Sequence, residues 1–205
     1  MVSNKTSRSR FQLVPTKTLP IDEVINYWRL IEEADLLKYR LPDVHAPSLQ
    51  DVRDMICDPK NACFSVVDTT PHLHPIPKLH GAKGDVLRSS IAADIMLNAV
   101  QGAAAQLHFS VNPDYHGRLS TLVGKQGVYQ TFELRRQDHP NIRLRTLIGL
   151  TPITNKLALR LVKNVGFKRM CVLTNAYRLA YSDDAIVDCV VSQLTDTEVD
   201  KILGD

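Results

Sequence analysis

The stretch Asn155-Lys-Leu-Ala-Leu-Arg-Leu-Val-Lys-Asn-Val-Gly-Phe167 constrains the fold more than any other part of the chain. Ala158, Leu161, Val162 and Val165 recur at helical spacing, and Lys156, Arg160, Lys163 and Asn164 take the other sides, so one stripe of an amphipathic helix faces a core. Both ends are written locally. Asn155 starts the helix, Gly166 stands where a helix end needs a left-handed residue, and Phe167 can fold back onto the last turn. Just before it, Ile142-Arg-Leu-Arg-Thr-Leu-Ile-Gly-Leu150 reads as a strand that ends in Thr-Pro-Ile-Thr at 151–154.

The flanking sequence supplies the other layers. Phe11 to Thr18 is a first strand, followed by a helix from about Ile21 to Tyr39 with Asp22 and Glu23 at the positive end of its dipole. Ser48 and Asp51 form an imperfect capping box for a helix over 49–57. Asn61 to Asp68 is a strand. The Pro- and Gly-rich connection from Thr69 to Ser89 carries His72, His74 and His80; two histidines at i and i+2 without a clear third ligand are more often exposed than metal-bound, and no metal is expected. Ser90 to Asn98 and Ala104 to Val111 pair around Gly102, with Gln106, His108 and Ser110 on one face of the second strand and Leu107, Phe109 and Val111 on the other. A turn at 112–118 opens a helix to about Arg136, whose Gly124 and Gly127 make sense if its backbone lies close to a strand or a ligand. After the opening segment come strands at 169–174 and 176–181, bent near Asn175, a turn at 182–184, a last strand at 185–191 and one or two helical turns near the C-terminus. Strands pairing as hairpins first and through helices later make a mixed α/β sheet protein.

Composition narrows the function classes. With 205 residues, 44% of them hydrophobic and 23% charged, the expectation is one globular domain over 11–205 behind a basic, flexible tail at 1–10. No apolar run reaches the length of a membrane span, so a cytoplasmic setting is expected. Cys57, Cys63, Cys171 and Cys189 show no metal-binding spacing. A net charge of +3 without a concentrated basic and aromatic face gives no reason to expect nucleic acid.

Two separated segments resemble one family. The strand Leu107 to Val111, the turn Asn112-Pro-Asp-Tyr-His-Gly-Arg118 and the helix after it look like the pyrophosphate loop of the GNAT N-acetyltransferase superfamily, and Asn155…Ala158…Leu161…Gly166-Phe167 resembles that family's second CoA-contacting helix. Asp184 to Val191, with Asp188 inside it, is similar to the family's C-terminal strand. The resemblance implies a GNAT-like, mostly antiparallel central sheet with helices on both faces. It also implies acetyl-CoA as cofactor and transfer of an acetyl group to an amine by direct attack, on a small molecule or a protein. By the same resemblance, Ser110, Val111 and Asn112 offer a strand edge to the pantetheine arm and Asn155 hydrogen-bonds it. Gly117, Arg118, Leu119, Ser120 and Thr121 surround the diphosphate, where unpaired amides and the helix dipole favour an anion. His108 is the first candidate base and Asp94 the second.

The chain departs from the family in two places. The family's loop carries glycine or alanine where this chain has Leu119 and Thr121, and a side chain there can block close approach of a phosphate. The tyrosine that protonates the leaving thiolate is Val162 here, so Tyr129, Tyr177 or water would have to substitute. These losses, similar in style to bacteriophage-encoded members of the superfamily, motivate an alternative expectation. It is a catalytically degenerate GNAT-fold protein with an assembly role, associated with a virion or with further copies of itself.

Overall fold

The computed structural model describes residues 9–70, 89–138 and 144–202; the expected 1–8 segment of the tail and the histidine-bearing connection lie outside the described residues. In chain order the elements are β1 (Phe11–Pro15), α1 (Ile21–Glu33), α2 (Leu37–Arg40), α3 (Leu49–Cys57), β2 (Ala62–Asp68), β3 (Ile91–Gln101), β4 (Ala104–Val111), α4 (Arg118–Asp138), β5 (Thr146–Pro152), α5 (Lys156–Val165), β6 (Lys168–Leu179), β7 (Ala185–Thr195) and α6 (Asp196–Ile202). Seven strands form one sheet in the order β1-β2-β3-β4-β5-β7-β6. Every neighbouring pair is antiparallel except β4 with β5, which is parallel.

Local signals account for most of these boundaries. The Ser48 hydroxyl accepts from the Asp51 amide while Asp51 Oδ2 accepts from the Ser48 amide at 2.8 Å, a complete capping box for α3. Asn155 Oδ1 accepts from the Ala158 amide at 3.0 Å, and Gly166 closes α5 in the left-handed region at φ 111°. The Phe167 amide then reaches the Val162 carbonyl, as a Schellman-type end requires.

One expected helix is two. Asp35 takes φ 57°, its amide bonds to Glu32, and the Leu36 amide bonds to Ile31, so the chain turns before α2 begins. A short aspartate side chain tolerates this conformation better than a branched one. The turn carries α2 against β4. The two strands expected at 169–174 and 176–181 are instead one strand, β6, with an irregularity where Asn175 adopts φ 50° and donates its amide to Asp188.

The helices lie on opposite faces. Phe109 of β4 points toward α4, where it approaches both Gly124 and Gly127. Its neighbours His108 and Ser110 point the other way by strand alternation, toward α1 and α2. The core under α4 gathers Phe11, Ile95, Val123, Phe132, Leu147 and Leu194; a second cluster under α1 holds Val24, Tyr27, Trp28 and Ile31. Close approach to α5 and to the sheet explains the two glycines of α4. A Cβ on Gly124 would stand 2.5 Å from a Val165 methyl, and one on Gly127 would stand 2.9 Å from Val66. Gly124→Ala is therefore expected to cost about 1–2 kcal/mol in urea unfolding, overpacking outweighing the gain in helix propensity. A neutral or stabilising result would show that α4 and α5 separate freely.

Candidate functional site

β4 and β5 stay together for only three pairs, Ala104 with Thr146, Ala105 with Leu147 and Gln106 with Ile148. Beyond them the strands diverge, because β4 continues in register with β3 and β5 with β7. The gap opens into a cavity of about 640 Å³ lined by residues 107–111 of β4, 149–152 of β5, both glycine-bearing and capped helices α4 and α5, and α2. Gly149 is buried, yet a Cβ built on it would find no atom within 4 Å. A buried position facing empty space is the local signature of the gap.

On the α4 and α5 face, Gly117 holds φ 84°, and the Ser120 hydroxyl donates to its carbonyl at 2.7 Å. His116 Nε2 lies 3.2 Å from the Val111 carbonyl and pins the turn to the end of β4. Asn155, which lines the cavity, spends its side-chain oxygen on the α5 cap and keeps the two donors of its amide nitrogen for another partner. Among the expected cofactor contacts, Ser110, Val111, Gly117, Ser120 and Asn155 line the cavity; Arg118, Leu119, Thr121 and Asn112 do not. Leu119 turns into the α4-side core, so it does not occlude the groove as its replacement of a glycine had suggested. Asn112 is fully buried and structural: its Nδ2 donates to Ile91, its Oδ1 accepts from Asp114, and its amide donates to Ala92.

The α1 and α2 face carries the titratable groups. Asp94 sits opposite Ser110 in the β3–β4 ladder and is buried. Arg40 Nη2 contacts its Oδ2 at 2.6 Å, the Tyr27 hydroxyl lies 3.2 Å from its Oδ1, and that hydroxyl accepts from the Asp94 amide at 3.1 Å. Burial pushes the Asp94 carboxyl up while Arg40 opposes the rise. It does not line the cavity.

His108 does line the cavity, but its chemistry differs from expectation. Burial, and then the charge of Arg40, push its pKa down to about 4, so the ring is neutral at pH 7 and a weak base. Gln106 Nε2 lies 3.1 Å from His108 Nε2; an amide nitrogen donates, so the ring proton resides on Nδ1 in this arrangement. Of the tyrosines weighed against the missing acid, Tyr177 lines the cavity, and burial raises its pKa to about 12, whereas Tyr129 packs against the core. Val162 lines the cavity and also packs against the α4-side core, as its place in the helix stripe led one to expect.

Arg40 is the residue that sequence reasoning missed. It lies at the frayed end of an expected helix, and nothing in its local sequence marks it, since its burial depends on the turn at Asp35. Among the described residues no cluster of His, Cys, Asp or Glu could hold a metal ion, and no helix is long and apolar enough to cross a membrane.

No family model and no curated protein matches the chain by sequence. Solved structures do match it. The chain is similar to ribosomal-protein-S5-alanine acetyltransferase from Vibrio fischeri at 12% identity and TM-score 0.59, over 91% of this chain and 93% of that one. Spermidine N-acetyltransferase from Vibrio cholerae, solved in complex with CoA and spermine, aligns at 11% identity and TM-score 0.58, over 93% and 98% of the two chains. A GNAT-family structure from Chromobacterium violaceum aligns at 15% identity and TM-score 0.64, over 93% and 85%. At these identities the likeness is one of architecture: the chain has the GNAT fold.

Proposed function

We propose that the chain is an N-acetyltransferase that moves an acetyl group from acetyl-CoA to an amine by direct attack. The observation that carries this reading is the gap between β4 and β5, which joins a helix-terminus cradle on one face of the sheet to a group of polar side chains on the other. A cofactor arm entering from α4 and α5 would meet the free amide donors of Asn155 and the diverging edge of β4 at Ser110 and Val111. Its diphosphate would lie at the start of α4, near Gly117 and Ser120, with Arg118, Leu119 and Thr121 contributing backbone amides only. Acetyl-CoA supplies the activated acyl group; the chain supplies orientation and hydrogen bonds.

In the transfer, a C–N bond forms at the acetyl carbon and the C–S bond breaks with its electron pair on sulfur. The amine gives up one proton and the sulfur takes one. His108 is too weak a base to pull a proton from an ammonium ion, so the acceptor reacts as its free amine and the His108 ring orients it. The Tyr177 hydroxyl, held protonated, is the available donor toward the leaving sulfur where Val162 has none. The comparisons lend nothing to an assembly role or to a phage origin.

Calorimetric titration with acetyl-CoA, followed by acetyl transfer to a panel of amines, tests this reading. Binding in the micromolar range is expected, and no binding at millimolar cofactor would overturn it. The profile of kcat/KM against pH should rise until the acceptor's own ammonium has titrated, without an inflection near 6.5, because the His108 pKa lies well below that value. An inflection near 6.5 that disappears in His108→Ala would restore the histidine as base. Tyr177→Phe is expected to lower kcat by about 10²-fold or more if the hydroxyl supplies the proton.

A further inference from the structure

We infer that Arg40 receives an anionic group of the acceptor, so that the amine acetylated here belongs to a molecule carrying a carboxylate, such as an amino acid or short peptide. This rests on the acetyltransferase reading and names the substrate class of the same site. The Arg40 side chain is 2% exposed and lines the cavity on the His108 face. Only Nη2 has a partner, Asp94 Oδ2; Nε and Nη1 are buried with no acceptor. A guanidinium presents five N–H donors, and those on Nε and Nη1 leave three of them unpaired. Buried donors without acceptors are costly, more so on a charged group, and an anion entering the cavity would remove that cost.

The rest of the lining points the same way. Among the described residues no aspartate or glutamate lines the cavity, whose charged side chains are Arg40 and Lys156. Asp94 is committed to Arg40 and Tyr27. A polycationic acceptor would thus find two like charges and no counter-charge among the described lining residues. An amine paired with a carboxylate would place its negative end on Arg40 and its nitrogen near His108.

The test is a set of acceptors matched in size: glycine against glycinamide, β-alanine against propylamine, and spermidine. With the wild-type protein, kcat/KM should favour each carboxylate-bearing amine by about 10²-fold or more, because a site built around a buried hydrogen-bonding group rejects analogues that leave it unpaired. Arg40→Lys keeps the charge beside Asp94 and should reduce that preference at least tenfold with the fold intact by circular dichroism. Equal or better turnover of propylamine or spermidine overturns the inference while leaving acetyl transfer standing. Should acetyl-CoA fail to bind, N-acetylglycine and N-acetylglycinamide are titrated by thermal shift. Stabilisation by the acid alone, lost in Arg40→Lys, supports the anion site without the enzyme reading; no difference between the two ligands overturns it.

Discussion

Replacing Arg40 by methionine is expected to destabilise the fold by about 3–5 kcal/mol, a large share of the 5–15 kcal/mol that ordinarily separates folded from unfolded chains. The loss does not measure the strength of the ion pair. It comes from Asp94, which stays buried on β3 with the Tyr27 and Ser110 side chains as its remaining hydrogen-bond partners. An isolated carboxylate is costly to bury, so the variant should take up a proton there. Burial already pushes the Asp94 carboxyl up, and Arg40 is the group that opposes the rise. With Arg40 gone, the folded pKa stands further above the unfolded value. The penalty is then full at high pH and shrinks as pH falls through the folded pKa, where the folded state binds the additional proton. Urea unfolding at pH 8 and at pH 5 should show the deficit narrowing on acidification. Arg40→Met combined with Asp94→Leu should recover much of the stability, because an apolar pair of similar volume replaces a buried ion pair at little cost. A single-variant loss below about 1 kcal/mol, unchanged with pH, would show that water or a rearranged side chain reaches Asp94.

What was legible in the sequence was local. The α5 stripe and both its caps, the α3 capping box and the alternation of Gln106, His108 and Ser110 against Leu107 and Phe109 are set by near neighbours, and each is found as read. Where a tertiary contact decides, the sequence carried less. The break at Asp35 places Arg40, yet Glu32 to Tyr39 has enough helix-forming residues to read as one helix. The divergence of β4 from β5 arises because each strand is held by its other neighbour, a fact of register with no residue-level marker. The pKa of His108 follows from burial and from Arg40, neither visible from the strand that bears it. Replacement of a loop glycine by Leu119 looked obstructive because direction is not written in identity; the helix turns that side chain into the core.

Filling the gap at Gly149 should abolish cofactor binding while leaving the fold intact. Gly149 lies on the same face of β5 as Leu147, which packs in the α4-side core, so a new side chain would project toward α4 and α5. The space is empty within 4 Å of the missing Cβ, and its φ lies outside the left-handed region that would exclude other residues. Phenylalanine at 149 can thus occupy the cavity without strain, and its apolar ring gains burial there. Thermal melting is expected to be unchanged or raised by a few degrees, whereas acetyl-CoA affinity should fall by 10²-fold or more, since the arm and the ring compete for one channel. Position 124 is the natural contrast, because a Cβ there already meets Val165 at 2.5 Å and a ring would force α4 from α5. Loss of binding in Gly149→Phe with a native melting curve assigns the cofactor to the gap. Affinity within threefold of wild type would place acetyl-CoA elsewhere, and the divergence of β4 and β5 would then need another occupant.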